Sequence, residues 1–201
     1  MVLSKRIFDL VAAISLSGLL LPVMAVVAIA ILLIDGRPVF YVSERMKGPN
    51  TGFRLWKFRT MKPDASDSGP SGGNKQWRVT RTGAFLRRTR LDELPQLWNV
   101  LRGDISFVGP RPPLRMYVER FPEIYNQVLK SRPGITGLAS VYYHAHEEMM
   151  LAHCKNAAET DAMYSKNCVP RKARFDLIYQ RNQSICFDIE IMLKTVFKKL
   201  R

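Results

Sequence analysis

LDELPQLWNVLRGDISFVGPRP, residues 91–112, governs how the rest of this chain is understood. Two adjacent carboxylates, Asp92 and Glu93, stand directly ahead of a helical pattern, Leu94 to Leu101. Pro95 fits the first turn of that helix, where its missing N–H costs nothing. Gly103 is placed to end it. Carboxylates at such a start face the positive end of the helix and are expected to be held ionised. Pro110-Arg111-Pro112 makes a rigid turn that fixes the direction of Arg111. Just upstream, Arg87, Arg88 and Arg90 interleave with Ala84, Phe85, Leu86 and Thr89. Arginine clamps phosphate oxygens bidentately, which lysine does less well. Position alone also fits a plainer reading, in which Asp92 and Glu93 are ordinary helix-start acids.

Further upstream, Pro38 to Ser43 (PVFYVS) reads as a strand, 48–52 as a turn and Phe53 to Met61 (FRLWKFRTM) as its partner in a β-hairpin. Lys57 and Arg59 fall on one strand face, a spacing suited to an anion. Lys62 to Gln76 is rich in Ser, Gly, Pro and Asp and reads as a long loop. Downstream, Pro113 to Lys130 reads as a helix with a break at Pro122, and 132–137 as a turn with two glycines. Glu147 to Lys166 reads as a helix. Phe187 to Leu200 has helical apolar spacing with lysines between, a pattern that suits either an anionic membrane surface or a protein core.

From Leu10 to Ile34 no residue is charged. As a helix these roughly 25 residues reach about 37 Å, more than a bilayer's hydrocarbon core requires. The run is too long for the apolar part of a cleavable signal. Lys5 and Arg6 precede it and a basic body follows, so the positive-inside rule keeps both flanks on one side. A helix kinked at Pro22 that re-enters the same leaflet satisfies this; a plain bitopic anchor with a tolerated proline is the other reading.

The chain has 201 residues, 47% hydrophobic, with 31 Lys+Arg against 17 Asp+Glu, a net charge of +14. Such a balance points to an anionic partner: nucleic acid, anionic membrane lipid or a phosphorylated substrate. Acids set among the arginines oppose a nucleic-acid backbone. Cys154, Cys168 and Cys186 lack the spacing of a disulfide framework or a zinc knuckle. His144, His146 and His153 with Cys154 form the one soft-ligand cluster, without a closed set of spacings.

Taken together, the apolar N-terminal run, WKFRTM (56–61), LRRTRLDELPQLWNVLRGDISFVGPRP (86–112) and RPGITGLA (132–139) strongly resemble the bacterial sugar transferase family, monotopic polyprenol-phosphate phosphoglycosyl transferases, in their minimal form. The resemblance covers nearly the whole chain. It implies an α+β fold: a re-entrant membrane helix over residues 1–36, then a mainly helical catalytic domain over 37–201 with a small β-hairpin. It implies transfer of a phosphosugar from a nucleotide diphosphate sugar, usually a UDP-sugar, to undecaprenyl phosphate at the cytoplasmic face of the bacterial inner membrane, with release of UMP. Carried over by residue, Asp92 is the nucleophile that forms a phosphosugar-enzyme intermediate, Mg2+ is held beside Asp92 and Glu93, and Glu93 helps bind it or handles the acceptor. Lys57, Arg59, Arg87, Arg88, Pro110, Arg111, Pro112 and His144 are the expected phosphate and nucleotide site, and an oligomer is compatible. The family commonly has Ser before its membrane proline, where this chain has Leu21, and an arginine where this chain has His144. A non-catalytic component of a polysaccharide assembly complex and a membrane-anchored nucleic-acid-binding protein are the alternatives.

Overall fold

The computed structural model describes residues 3–64 and 73–197, with side chains described from Lys75 onward in the second stretch. Helix α1 (Leu3–Ile34) is a single 32-residue helix that continues through Pro22. Its most apolar 18-residue window has a mean hydropathy of 2.8, and little of that window is buried. The buried residues lie towards its two ends: Lys5, Asp9 and Ala13 in one half, Val27 and Ile31 in the other. Between them Leu19, Leu21, Val23 and Val26 are exposed. Both halves of the apolar helix therefore pack on the same globular body, and its middle does not.

The hairpin pairs β1 (Phe40–Gly48) with β2 (Thr51–Phe58) antiparallel, Lys57 opposite Tyr41. The first strand continues past Ser43 to Gly48. Met46 is the reason: it is 1% exposed in a core cluster, and its N–H donates to the Pro113 carbonyl at 3.0 Å. The second strand stops at Phe58, before Arg59. Of the loop expected over 62–76, residues 65–72 lie outside the described part, and Gly73–Arg78 forms a 3-10 turn.

Helix α2 (Arg81–Thr89) is capped by the Thr80 hydroxyl, which accepts from the Gly83 N–H at 2.9 Å. It ends at Arg90, a left-handed arginine (φ 63°). A 3-10 turn, Leu91–Glu93, then leads into α3 (Gln96–Arg102), which stops at Gly103, where a φ of 80° favours glycine. Asn99 fixes α3 to the hairpin. Its Nδ2 donates to the Arg54 carbonyl (2.7 Å), and its Oδ1 accepts from the Trp56 N–H (3.1 Å). The membrane helix holds the other end, because Arg6 donates to the carbonyls of Val100 (2.7 Å) and Leu101 (2.9 Å).

Strand β3 (Ser106–Val108) leads to α4 (Arg115–Arg120) and α5 (Pro122–Val128), divided at Phe121 with Pro122 opening the second. Strand β4 (Gly134–Thr136) follows. The segment expected to be a turn is thus a strand, parallel to β3, with Ser106 opposite Gly134 and Val108 opposite Thr136. Strands this short show no periodicity in sequence. Glycine permits the close approach of the two segments: a Cβ on Gly109 would lie 2.2 Å from the Arg132 carbonyl oxygen.

Helices α6 (Leu138–Tyr142), α7 (His144–Ala152) and α8 (Ala157–Met163) come next. The helix expected over 147–166 is therefore two helices, separated where Asn156 caps α8. A π-helical turn, Tyr164–Cys168, joins α8 to α9 (Val169–Arg181), and α10 (Ile185–Phe197) follows. Residues 198–201 lie outside the described part. Helix α10 faces the core on one side: Ile191 is buried there, while Ile189, Leu193, Val196 and Phe197 are exposed. At the core face Lys5 of α1 pairs with Asp188, which also accepts from the Tyr179 hydroxyl at 2.7 Å. The architecture is α+β, mostly helical, with two two-stranded sheets among the described residues.

Candidate active site

The 3-10 turn presses the acid pair against the hairpin. Asp92 and Glu93 are each 7% exposed. The Lys57 ammonium lies 2.7 Å from Glu93 Oε1 and 4.0 Å from Asp92 Oδ2. Arg111 Nη2 is 3.3 Å from Glu93 Oε1, and Arg90 Nη1 is 3.5 Å from Glu93 Oε2. Three cations thus surround Glu93. Asp92 Oδ1 is buried and meets no hydrogen-bond donor among the described residues.

The two carboxyls diverge in charge behaviour. Burial alone would raise Glu93, but Lys57, Arg111 and Arg90 outweigh it and hold the carboxyl far below its ordinary range. Burial raises Asp92; Lys57 opposes the rise, while Glu93 adds to it. The expectation that a helix start sets the charge of both is therefore corrected. The helix begins three residues later, at Gln96. Side-chain cations hold Glu93, and desolvation governs Asp92. Burial also lowers the Lys57 ammonium, although Glu93 resists the change.

Arg90 carries the geometry. Its left-handed backbone, costly for a non-glycine residue, turns the chain from α2 into the 3-10 segment and aims its guanidinium at Glu93. It belongs with the site although the sequence gives it no more prominence than Arg87 and Arg88. A positive φ leaves no mark in a run of arginines.

A cavity of about 640 Å3 opens beside the acids, lined by Arg45, Lys57, Arg87, Arg90, Arg111 and Pro112, with His144 and Lys172. A second, of about 370 Å3, lies against the membrane helix, lined by Leu16, Leu20, Leu94, Leu97, Phe107 and Val141. Arg90, Ile135, Ser140, His144 and Glu148 border both. Glu93 borders the second. Asp92 lines neither and stands one layer behind Lys57, Arg87 and Arg90.

Of the residues singled out in the sequence, Lys57, Arg87, Asp92, Glu93, Arg111, Pro112 and His144 are brought together. Pro110 supports them from the buried layer, its carbonyl accepting from the Gly134 N–H at 2.9 Å. Arg59 is not brought in: its Nη2 donates to the Asp35 and Gly36 carbonyls, both at 2.7 Å, tying down the end of α1. It lies one residue past the hairpin's last pair, so the alternation that put it beside Lys57 no longer applies. Arg88 is exposed, with its guanidinium 6.0 Å from the Phe85 ring centre. Pro22 lies in the exposed middle of α1.

His144 is held neutral. Burial lowers its pKa first, and Arg90, Arg111 and Lys172 lower it further, to about 3. The other histidines turn elsewhere. His146 Nε2 is 3.2 Å from Arg171, and His153 Nδ1 is 2.8 Å from the Met149 carbonyl of its own helix. Among the described residues no group of three His, Cys, Asp or Glu is arranged to hold a metal.

The family model described as bacterial sugar transferase matches residues 1–201. The UDP-glucose:undecaprenyl-phosphate glucose-1-phosphate transferase of Escherichia coli K12 is 36% identical over 200 residues, 98% of this chain and 40% of its own length. The UDP-N-acetylgalactosamine-undecaprenyl-phosphate N-acetylgalactosaminephosphotransferase of Aeromonas hydrophila is 33% identical over 198 residues, 96% of this chain and 42% of its own. The Bacillus subtilis sugar transferase EpsL is 37% identical over 203 residues, 98% of this chain and 87% of its own. The chain thus spans less than half the length of the first two of these relatives. With a family match along its whole length, the chain belongs to the bacterial sugar transferase family.

Proposed function

We propose that this protein moves a phosphosugar from a UDP-sugar to undecaprenyl phosphate and releases UMP, the first membrane step in building a glycoconjugate such as O-antigen, capsule, exopolysaccharide or a glycoprotein glycan. One observation carries the reading: a cationic cavity and an apolar cavity share a wall at Arg90, Ser140 and His144, next to Glu93. A soluble diphosphate suits the first and a polyprenyl chain the second. Both halves of α1 pack on one body, which favours a re-entrant helix and a catalytic domain held at the cytoplasmic face of the inner membrane. Leu16 and Leu20 of that helix border the apolar cavity, so a lipid tail would enter it from the bilayer.

Two displacements at phosphorus make up the reaction. Asp92 rotates past Lys57, and its carboxylate oxygen bonds to the β-phosphorus of the donor. The bond from that phosphorus to the bridging oxygen breaks, and the oxygen leaves with UMP. An oxygen of undecaprenyl phosphate then attacks the same phosphorus and frees Asp92. A desolvated carboxylate with an unpartnered oxygen suits the first step. Lys57, Arg87, Arg90 and Arg111 offset the charge of the diphosphate. Glu93, ionised throughout, holds three of these cations in register.

The residues present fit a divalent cation at one atom, Asp92 Oδ1, a buried carboxylate oxygen without a partner. Glu93 fits less well, because Oε1 already meets Lys57 and Arg111. Mg2+ typically takes one or two carboxylates and completes its shell with phosphates and water. When bound, Mg2+ would ease the repulsion between Asp92 and the diphosphate.

The test is UMP release by the full chain in detergent or nanodiscs, with undecaprenyl phosphate and a panel of UDP-sugars. Release is expected with a subset of donors and to be lost on adding EDTA. Asp92→Asn should reduce it by about a thousandfold or more and abolish a trapped radiolabelled sugar-phosphate adduct. Full activity in Asp92→Asn would sink the covalent route.

A further inference from the structure

One part of the cationic cavity is chemically unlike the rest. Away from Lys57 and Arg87 its wall comes from α5, α9 and the π-helical turn. Asp176 and Tyr125 line it and are only 7% and 8% exposed. Neither side chain makes a hydrogen bond to any described residue. Lys172, the cation that acts on Asp176, donates to Glu147 Oε1 (3.0 Å), Glu147 Oε2 (3.1 Å) and the Tyr164 hydroxyl (3.2 Å). An ammonium has three protons, so this set leaves none for Asp176.

Both side chains are largely buried yet keep polar atoms open to one cavity, and two such groups facing it suit a ligand that supplies hydrogen bonds. The π-helical turn is a second pointer. Such turns are rare and gather at functional sites, and this one begins with Tyr164, which lines the same cavity. Burial pushes the Asp176 carboxyl up to about 7, against partial opposition from Lys172. The carboxyl thus both accepts and donates near neutrality. Tyr125 stays a protonated phenol.

A phosphate is a poor match for this part, because Lys172 there is already engaged by Glu147 and Tyr164 and Asp176 adds a carboxyl. A neutral group rich in hydroxyls is a good match, since each hydroxyl donates one hydrogen bond and accepts others. In a two-step transfer the nucleotide leaves first and the phosphosugar stays. The less exposed part around Asp176 and Tyr125 suits the half that stays, and the part around Lys57, Arg87 and Arg111 suits the diphosphate. We infer that Asp176 and Tyr125 form the subsite that reads the hydroxyl groups of the transferred sugar, an inference that rests on the donor reading above.

The full chain in detergent tests this, with wild type beside Asp176→Asn and Tyr125→Phe. Each is titrated with UDP and with UDP-glucose, UDP-galactose, UDP-N-acetylglucosamine and UDP-N-acetylgalactosamine, while UMP release is followed in parallel. Wild type should prefer one UDP-sugar over UDP. Both variants should weaken that sugar about tenfold, change the ranking of donors, and bind UDP within about twofold of wild type. An unchanged ranking in both variants would overturn the subsite. So would an equal loss of UDP affinity, which would place the nucleoside there. Sugar-selective binding without UMP release in wild type would count against the transferase reading and leave the subsite standing.

Discussion

The two cavities that meet at Arg90 and His144, beside Glu93, are built by opposite means. The larger one collects charge: its walls bring arginines and lysines from the hairpin, α2, the segment after β3 and α9. The smaller one collects leucines from α1, α3 and the turn before α3, with Phe107 and Val141. Charge there is confined to the acid pair's edge and the shared rim. The difference matters because the proposed substrates differ in the same way, one a water-soluble anion and the other a lipid with an anionic head. A single cavity could not desolvate a polyprenyl tail and solvate a diphosphate. Two cavities with Arg90, Ser140 and His144 between them let both phosphates reach one shared wall.

This division of labour is most exposed to attack at Lys57, which lines the cationic side alone and pairs with Glu93. Lys57→Met removes positive charge beside Asp92 and leaves Glu93 with the more distant Arg111 and Arg90. UMP release should fall by about 100-fold, while the KM for undecaprenyl phosphate stays within about twofold. A parallel rise in that KM would mean that the cavities do not divide the substrates.

The next effect is on stability and has a sign. Burial raises the Asp176 carboxyl to about 7 from an ordinary 3.8, so the native state binds a proton that the unfolded chain releases. That contribution is complete below about pH 4 and is lost as pH rises through about 7. Asp176→Asn, which carries no charge to bury, should therefore be more stable than wild type at pH 8, by on the order of 4 kcal/mol. The gain should vanish near pH 4. Melting curves in detergent at the two pH values measure it, and an equal gain at both would show that Asp176 is not protonated in the native cavity.

A smaller effect probes the apolar side. Leu94 borders the second cavity and not the first. Leu94→Ser should raise the KM for undecaprenyl phosphate about fivefold, in line with the loss of roughly one buried side chain's worth of contact, and leave the donor KM alone. Short-chain polyprenyl phosphates should feel the change less. An effect on the donor alone would place the acceptor elsewhere.

Much of this is legible along the chain. The length and apolarity of 10–34 announce a membrane helix. The β-branched and aromatic run before a Gly-Pro-Asn-Thr-Gly turn announces a hairpin, and Pro95 and Gly103 bracket α3. These are local signals: a proline's missing N–H or a glycine's positive φ acts on its own neighbours. The acid pair and the arginines around it stand out for the same reason, because their chemistry is written in adjacent letters.

Distance is what adjacent letters do not carry. Alternation puts Lys57 and Arg59 on one strand face, yet Lys57 reaches Glu93 while Arg59 is committed to the end of the membrane helix. Asp92 and Glu93 are neighbours in sequence with opposite charge behaviour, because one is mainly desolvated and the other is ringed by cations. The short parallel sheet, the left-handed Arg90 and the buried Asp176 likewise depend on segments far apart in the chain. Local sequence was enough to say which elements form and which chemistry is on offer. Which charges face one another was set only by folding, since burial and electrostatic pairing depend on distances between residues remote in the chain.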